Sequence, residues 1–417
     1  MDGAALREIH CWLVEKSLSG TSEVDLLNGF CQRCCESGLS LSRALIFIDT
    51  LHPILEGRGF RWSQDGGAEL FEYGRTSGEA EANWQRTPFY RLLETGETDW
   101  RVRLDRKLPI ASTMLAELAA QGHVDYLACV HRLGSTAVIG EMDCVYSHWV
   151  TRAPRGFSDR QLDALRMLVP TLALAIKSAA LARITHTLAH VYLGRDAGER
   201  VLSGRISRGV ADRINAVLWF SDLRGYTTIS DAAEPAELIP LLNDYAEAAI
   251  TAICCAGGDV LKLIGDGVLA IFDASDPANG CRAALNAERD FRRRLAALNE
   301  KRARAGHPTT SAYVALHMGT VFFGNIGSQD RLDFTVVGPA VNEVSRISSM
   351  CRSVDRDFLV SAEFLGALDA AIQSAFVSAG RFALRGIARA QELFTLDPEI
   401  GISGPLAEAY GTRLQPD

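Results

Sequence analysis

Apolar residues recur at helical spacing over residues 4–17, where Leu6, Ile9, Trp12 and Leu13 share one side, so a short amphipathic helix is expected. Ser22 with Asp25 opens a second helical stretch that runs to about Gly38. The period then changes. The run ALIFIDTLHPILEGRGFRW predicts two short strands with a turn near Glu56-Gly57. Residues 124–134 and 138–150, containing DYLACVHRL and VIGEMDCVYSHWV, predict two more, punctuated at Gly134-Ser135. In FSDRQLDALRMLVPTLALAI, Ser158 and Gln161 form a capping-box pattern. Leu162, Leu165, Val169, Leu172 and Ile176 then alternate at three and four, the seam of a helix that pairs with another, and Pro170 is expected to bend it. Leu181, Ile184, Leu188 and Val191 prolong the stripe until Gly194 and the polar run RDAGER are expected to break it.

A different pattern follows. Ala216–Phe220 is an apolar run typical of a buried strand, with Asp222 at its exit. Val260–Ile264 and Val268–Phe272 are two more, joined by Gly265-Asp266-Gly267, which predicts a tight hairpin with Asp266 at its tip. Residues 312–327, AYVALHMGTVFFGNIG, are expected to form a hairpin punctuated by glycines. A strand from Asp333 to Val337 then turns at Gly338-Pro339 into a helix carrying Asn342 and Arg346 four apart, hence on one side.

Length and composition narrow the class. A chain of 417 residues suggests two or three domains, and 47% hydrophobic with 23% charged residues is ordinary for a globular protein. A net charge of -8 gives no support to nucleic-acid binding. No stretch is expected to span a membrane: Met167–Ile176 is short and is followed by Lys177 and Arg183. Asp2, Arg7, Glu8 and His10 occupy the place of a signal peptide's apolar core, so a cytoplasmic protein is expected. The ten cysteines include adjacent pairs at Cys34-Cys35 and Cys254-Cys255, neither of which is itself a C-x-x-C pair, and the chain shows no secretion signal, so they are expected to be reduced and mostly buried.

The candidate chemistry lies in the second half. A carboxylate at a strand end, close to Gly225, offers oxygen ligands of the kind hard divalent cations take. Two such carboxylates, Asp222 and Asp266, on adjacent strand ends could hold two metal ions that clamp a triphosphate. The amide of Asn342 and the guanidinium of Arg346 on one helix face suit a ribose and phosphate charge. Other features have plainer readings. The basic run from Arg292 to Arg304 is expected to be a solvated face. His186 and His190 lack a visible third ligand, and Trp84, Phe89 and Tyr90 are expected in the core rather than around a sensor pocket.

FSDLRGYT, K-L-I-G-D-G, G-x-x-x-x-G-N-I-G and D-F-T-V-V-G-x-x-V-N-x-x-x-R occur in that order and resemble the class III adenylyl and guanylyl cyclases over roughly Asn215 to Leu396. The resemblance implies an α+β fold with a ferredoxin-like βαββαβ core. It implies that Asp222, Asp266 and the Leu223 carbonyl bind two Mg2+ or Mn2+ ions per site. Lys262 and Asp333 correspond to the purine readers, Asn342 to the ribose-positioning residue and Arg346 to the transition-state arginine. A carboxylate accepts from the adenine 6-amino group and an ammonium donates to N1, so this pair favours ATP over GTP. The family's terminal-phosphate lysine has no counterpart in FALRGIARAQELFTL; Arg385 or Arg389 could replace it, and Arg385 is preferred because it precedes Gly386. A homodimer with shared active sites is implied, since the chain shows one such domain.

The first half resembles a GAF-type or PAS-type α+β sensor in its order of helix, strands and closing helix, without a motif that identifies its small-molecule or protein signal. The expected organisation is a sensor and dimerisation domain at 1–176, a helical signalling linker at 177–209, the cyclase domain at 210–400 and a tail at 401–417. The expected function is regulated conversion of ATP to cyclic AMP and pyrophosphate. The alternatives are a guanylate cyclase and an inactive nucleotide-binding homologue.

Overall fold

The computed structural model describes residues 1–74, 79–106, 112–134, 139–140, 142–387 and 389–397. The chain divides into two units, residues 1–188 and 189–417. The first holds α1 (Gly3–Leu18), α2 (Glu23–Glu36), β1 (Arg43–Asp49), β2 (Leu55–Ser63), β3 (Gly67–Gly74), α3 (Glu79–Trp84), α4 (Pro88–Thr95), β4 (Asp99–Arg103), α5 (Thr113–Ala120), β5 (Asp125–Arg132) and β6 (Cys144–Thr151). A long helix, α6 (Asp159–Leu193), closes it. The strands form an antiparallel sheet in the order β3-β2-β1-β6-β5-β4.

Side-chain alternation gives this sheet two covered faces. Ile46, Phe60, Leu127 and Trp149 pack with Leu13, Phe30 and the α6 seam residues Leu162, Leu165, Val169, Leu172 and Ile176. Tyr126, Ala128, Val130 and Tyr146 face the other way, toward Phe89 and Leu92 of α4 and Leu115 and Leu118 of α5. The capping box at the start of α6 is present: Ser158 N donates to Gln161 Oε1 at 2.9 Å, and Gln161 N to Ser158 Oγ at 3.4 Å. The helix is assigned without a break through Pro170.

The β1–β2 turn differs from expectation. It spans residues 50–54, and Glu56 and Gly57 already belong to β2, with Gly57 opposite Asp49. Pro53 has no N–H for a ladder, and His52 Nδ1 accepts from the N–H groups of Ile54 and Leu55, each at 3.2 Å, so the chain turns there. The other expected turn begins at Gly134, but Ser135 lies outside the described residues.

The second unit begins within the last turns of α6, at Ala189. Gly194 does break the helix, with φ of 86°, but RDAGER forms α7 (Arg195–Leu202) instead of a loop. The N–H groups of Arg195 and Asp196 donate to Asp259 Oδ1 and Oδ2 at 3.0 and 3.2 Å, so a carboxylate distant in sequence caps the new helix. Then come β7 (Ala211–Leu223), α8 (Tyr226–Ala232), α9 (Pro235–Cys255), β8 (Asp259–Ile264), β9 (Gly267–Asp273), α10 (Pro277–Arg304), β10 (Ala312–Gly327), β11 (Leu332–Val337), α11 (Pro339–Ser353), β12 (Phe358–Ser361), α12 (Ala362–Gly366), α13 (Ala370–Gln373), β13 (Phe376–Phe382) and β14 (Gln391–Leu396).

The order β10-β7-β9-β8, all antiparallel, with α9 and α10 as crossovers, is the expected ferredoxin-like core. Strands β12, β14 and β13 extend the sheet beyond β10, and β11 pairs with the far end of β10. Val217, Trp219 and Leu223 pack toward Tyr245 and Ile253 of α9 and Phe291 of α10. Ala216 and Leu218 pack on the other face with Val344 and Ile347 of α11.

Residues 312–327 form one continuous strand, not a hairpin. The glycines serve close approach: a Cβ at Gly319 would lie 2.7 Å from Ala340 Cβ, and one at Gly324 2.2 Å from the Val210 carbonyl oxygen. The basic run also differs from a solvated face. Arg292 donates to the carbonyls of Ala312 and Asp357 at 2.6 and 2.7 Å, and buried Arg302 to that of Pro308 at 2.8 Å. Helices α6 and α9 have the length and apolarity to cross a membrane, which corrects the expectation that no stretch qualifies; each buries apolar residues against its own unit's core. All ten cysteines are free thiols, six of them buried.

Asp259→Ala should lower the stability of the second unit by about 1 kcal/mol, the usual effect of a lost N-cap. Chemical denaturation should register this loss, and an unchanged midpoint would contradict the capping role.

Candidate active site

Parity along β7 decides where Asp222 points. Leu218 packs on the α11 face, so Asp222, four residues on, shares it, whereas Leu223 turns into the α9/α10 core. Ser221 is buried below and accepts from Trp219 Nε1 and Tyr245 Oη, each at 3.0 Å, which fixes the strand end. On the neighbouring hairpin, Gly265 at φ +64 makes the turn that Asp266 completes before β9. Asp266 Oδ2 accepts from Leu223 N at 3.2 Å, locking the hairpin tip to the end of β7.

The two expected metal carboxylates are thus brought together. Burial, a hydrogen bond to Asp266 and repulsion from it push the Asp222 carboxyl up to about 7. Two carboxylates with no intervening cation share a proton or repel, so the donor set suits divalent cations, whose charge reverses the penalty. The Leu223 carbonyl, the third expected ligand, belongs to the same strand end.

The expected purine readers also meet. Lys262 on β8 and Asp333 on β11, 71 residues apart in sequence, form an ion pair between Nζ and Oδ2, both side chains about half exposed. The ammonium and the carboxylate satisfy one another at the surface, four residues along the hairpin strand from Asp266. Asn342 and Arg346 are exposed on α11, on the side turned away from the buried stripe Ala340, Val344, Ile347 and Cys351. Within one chain, Asn342 and Arg346 are thus open to solvent and the Lys262–Asp333 pair about half so. Arg385 is exposed in the connection between β13 and β14, and Arg389 is exposed just before β14.

Residues 211–397 match the family described as the adenylate and guanylate cyclase catalytic domain. Over this segment, a little under half of the chain, the sequence is similar to the adenylate and guanylate cyclases. An adenylate cyclase of Anabaena cylindrica is 37% identical over 160 residues, covering 37% of this chain and 31% of that protein. Adenylate cyclase 1 of Rhizobium meliloti is 29% identical over 164 residues, covering 38% and 24%. The matched segment thus spans less than a third of the length of these curated relatives. The crystal structure of the adenylyl cyclase CyaB from P. aeruginosa aligns with a TM-score of 0.41 at 24% identity, covering 45% of this chain and 96% of that one.

One group in the cyclase domain escaped sequence analysis. His317 of β10, buried, lies with Nδ1 2.9 Å from Ser361 Oγ and Nε2 3.2 Å from Glu343 of α11. Burial pulls the imidazole down to about 4, so it is neutral, and burial also raises Glu343. Glu343 adjoins Asn342, so this cluster steadies the helix that presents Asn342 and Arg346. A lone histidine in a strand and a glutamate in a helix leave no spacing signal to find it by.

The Asp222 shift has a definite sign in stability. Its carboxyl titrates at about 7 when folded against an ordinary 3.8, so between these values the folded state binds more protons. Metal-free protein should therefore lose stability as pH rises from about 4 to 7. Asp222→Asn should flatten that slope and, at pH above about 7, melt higher than the metal-free parent. Thermal melts in chelator would detect this; an identical slope in the variant would refute the shared-charge account.

Proposed function

We propose that the chain is an adenylate cyclase, making cyclic AMP and pyrophosphate from ATP at sites shared by a homodimer. The observation that carries this reading is the Lys262–Asp333 pair, an ammonium and a carboxylate from separate strands meeting at one exposed spot. Lys262 donates to adenine N1 and Asp333 accepts from the 6-amino group, exchanging their mutual contact for the base. Guanine presents the reverse polarity at both atoms and would leave them opposed.

Asp222, Asp266 and the Leu223 carbonyl would hold two Mg2+ or Mn2+ ions, which supply the charge that makes the ribose 3′-hydroxyl acidic and binds the triphosphate. Asn342 orients the ribose so that the hydroxyl is in line with the α-phosphorus. Arg346 offsets the charge that grows on the α-phosphate and bridging oxygen. Arg385 is the candidate for the terminal phosphates. The adenylate cyclases of Anabaena cylindrica and Rhizobium meliloti, as relatives of this domain, support the choice of substrate.

The dimer reading rests on exposure. Asn342 and Arg346 face away from their own sheet, and apolar Leu263, Ile264, Phe322, Ile326, Leu332 and Val337 are exposed around the β8 tip and the β10–β11 arm. A second copy would cover that surface and bring one chain's readers to the other's carboxylates by two-fold symmetry. We assign the N-terminal unit a regulatory role and the protein a cytoplasmic location, where ATP and magnesium are plentiful.

Asp222→Ala and Arg346→Ala chains should each be nearly inactive in cyclic AMP formation. Mixed under subunit exchange, they would form heterodimers with one doubly altered and one intact site. Activity should then return to about a quarter of the parent's for random pairing. Demonstrated exchange with no recovery would exclude shared sites; substantial activity in either single variant would exclude the assigned roles.

A further inference from the structure

The corner between α6 and α7 presses on β8, the strand that carries Lys262. Gly194 makes the corner with φ of 86° and ψ of 169°, a backbone conformation that suits glycine alone. A Cβ there would lie 2.6 Å from the Val260 carbonyl oxygen. Asp259, which opens β8 and is buried, takes the N–H groups of Arg195 and Asp196 on its two carboxylate oxygens. The other end of α7 is fixed as well: Arg200 donates to Asp212 Oδ2 of β7 at 2.6 Å and lies 5.0 Å over the Phe323 ring of β10. Between them Ala197, fully buried, packs in one cluster with Leu261 of β8 and Leu269 and Ile271 of β9.

The register of the hairpin gives this contact its consequence. Val260 lies opposite Ala270, yet Lys262 lies opposite Leu269, so Leu261 is an extra residue and β8 bulges there. Opposite residues of paired strands share a face of the sheet. Leu269 packs on the α11 face, which Asp222 shares, whereas Val268 packs in the α9/α10 core. Without the extra residue Lys262 would stand opposite Val268, and its ammonium would point into that core. The bulge therefore turns Lys262 to the side where it meets Asp333. A bulge interrupts the ladder, and β8 is at the edge of the sheet, so strand pairing alone holds this segment weakly. The α6–α7 corner grips the two residues before the bulge, and α7 helps to bury Leu261 at it.

We propose that the α6–α7 corner, through Asp259 and the bulge at Leu261, positions Lys262 for the adenine base. Asp259 is thus a positioning residue that acts through another side chain. The inference rests on the reading of Lys262 as a purine reader. A contact to the base is the same before and during attack at the α-phosphorus, so loosening it weakens ATP binding without slowing turnover.

The test is steady-state kinetics of the full chain with ATP and with GTP. Asp259→Ala should raise the KM for ATP by about fivefold or more, keep kcat within about twofold, and narrow the preference over GTP. Asp259→Asn, which keeps a capping oxygen, should recover most of the parent's KM. Arg195→Pro removes one of the two donors with a residue suited to the first helical position; it should raise KM by a smaller factor and serves if Asp259→Ala fails to fold. Hydrogen exchange read by mass spectrometry is independent of turnover. Asp259→Ala should speed exchange in the β8–β9 hairpin as well as in α7, whereas a cap that serves α7 alone would leave the hairpin unchanged. A fall in kcat with KM and ATP preference unmoved, or hairpin exchange equal to the parent's, overturns the proposal and leaves the cyclase reading intact. A parent chain that makes no cyclic AMP, or prefers GTP, overturns both.

Discussion

Two like charges held close together govern the second unit. Asp222 and Asp266 come from a strand exit and a hairpin tip, and the Leu223 N–H to Asp266 bond keeps the two ends from drifting apart. Burial, together with the hydrogen bond to Asp266 and its charge, raises the Asp222 carboxyl to about 7. A fold tolerates such a pair when the surrounding sheet is stiff enough to hold it and a cation relieves it. The stiffness comes from the long β7–β10 ladder and from Ser221, clamped beneath by Trp219 and Tyr245.

The remaining candidate groups lie on other elements of the unit. Lys262 and Asp333 meet on the β8 and β11 strands, while Asn342 and Arg346 ride the outer side of α11. The helix itself is well anchored, by Val344 and Ile347 in the core and by the buried His317–Glu343 contact. In the proposed homodimer, this outward-facing helix and the exposed apolar strand residues beside it would make the half-site that a second copy completes. The acidic carboxylate cluster and the outward-facing Arg/Asn pair thus need different surroundings, and the sheet supplies them at different places.

Much of this was legible in the sequence because the key residues sit in short local patterns. A buried run ending in Asp222, the Gly265-Asp266-Gly267 turn and the helix after Pro339 each declare their own geometry. What the local patterns do not carry is long-range. Gly319 and Gly324 suggested a turn but instead admit Ala340 and the 210–211 backbone against a straight strand. Arg292 and Arg302 read as surface charge in a basic run, because the carbonyls they donate to are remote in sequence or in an irregular loop. In the first unit, β3, β4 and α3–α5 are short and weakly periodic, so a cavity they help enclose, lined in part by half-exposed Trp84 where a core position was expected, had no signature beyond a few aromatics. RDAGER reads as a break because it is polar, yet Asp259, over sixty residues on, caps it into a helix.

The most direct measurement is of the product itself: purified chain with ATP and Mg2+ or Mn2+, followed by chromatographic separation of nucleotides. The account predicts cyclic AMP and pyrophosphate in equal amounts, loss of both on chelation, and much slower turnover of GTP. Release of ADP and phosphate, preference for GTP, or turnover that survives complete metal removal would contradict it.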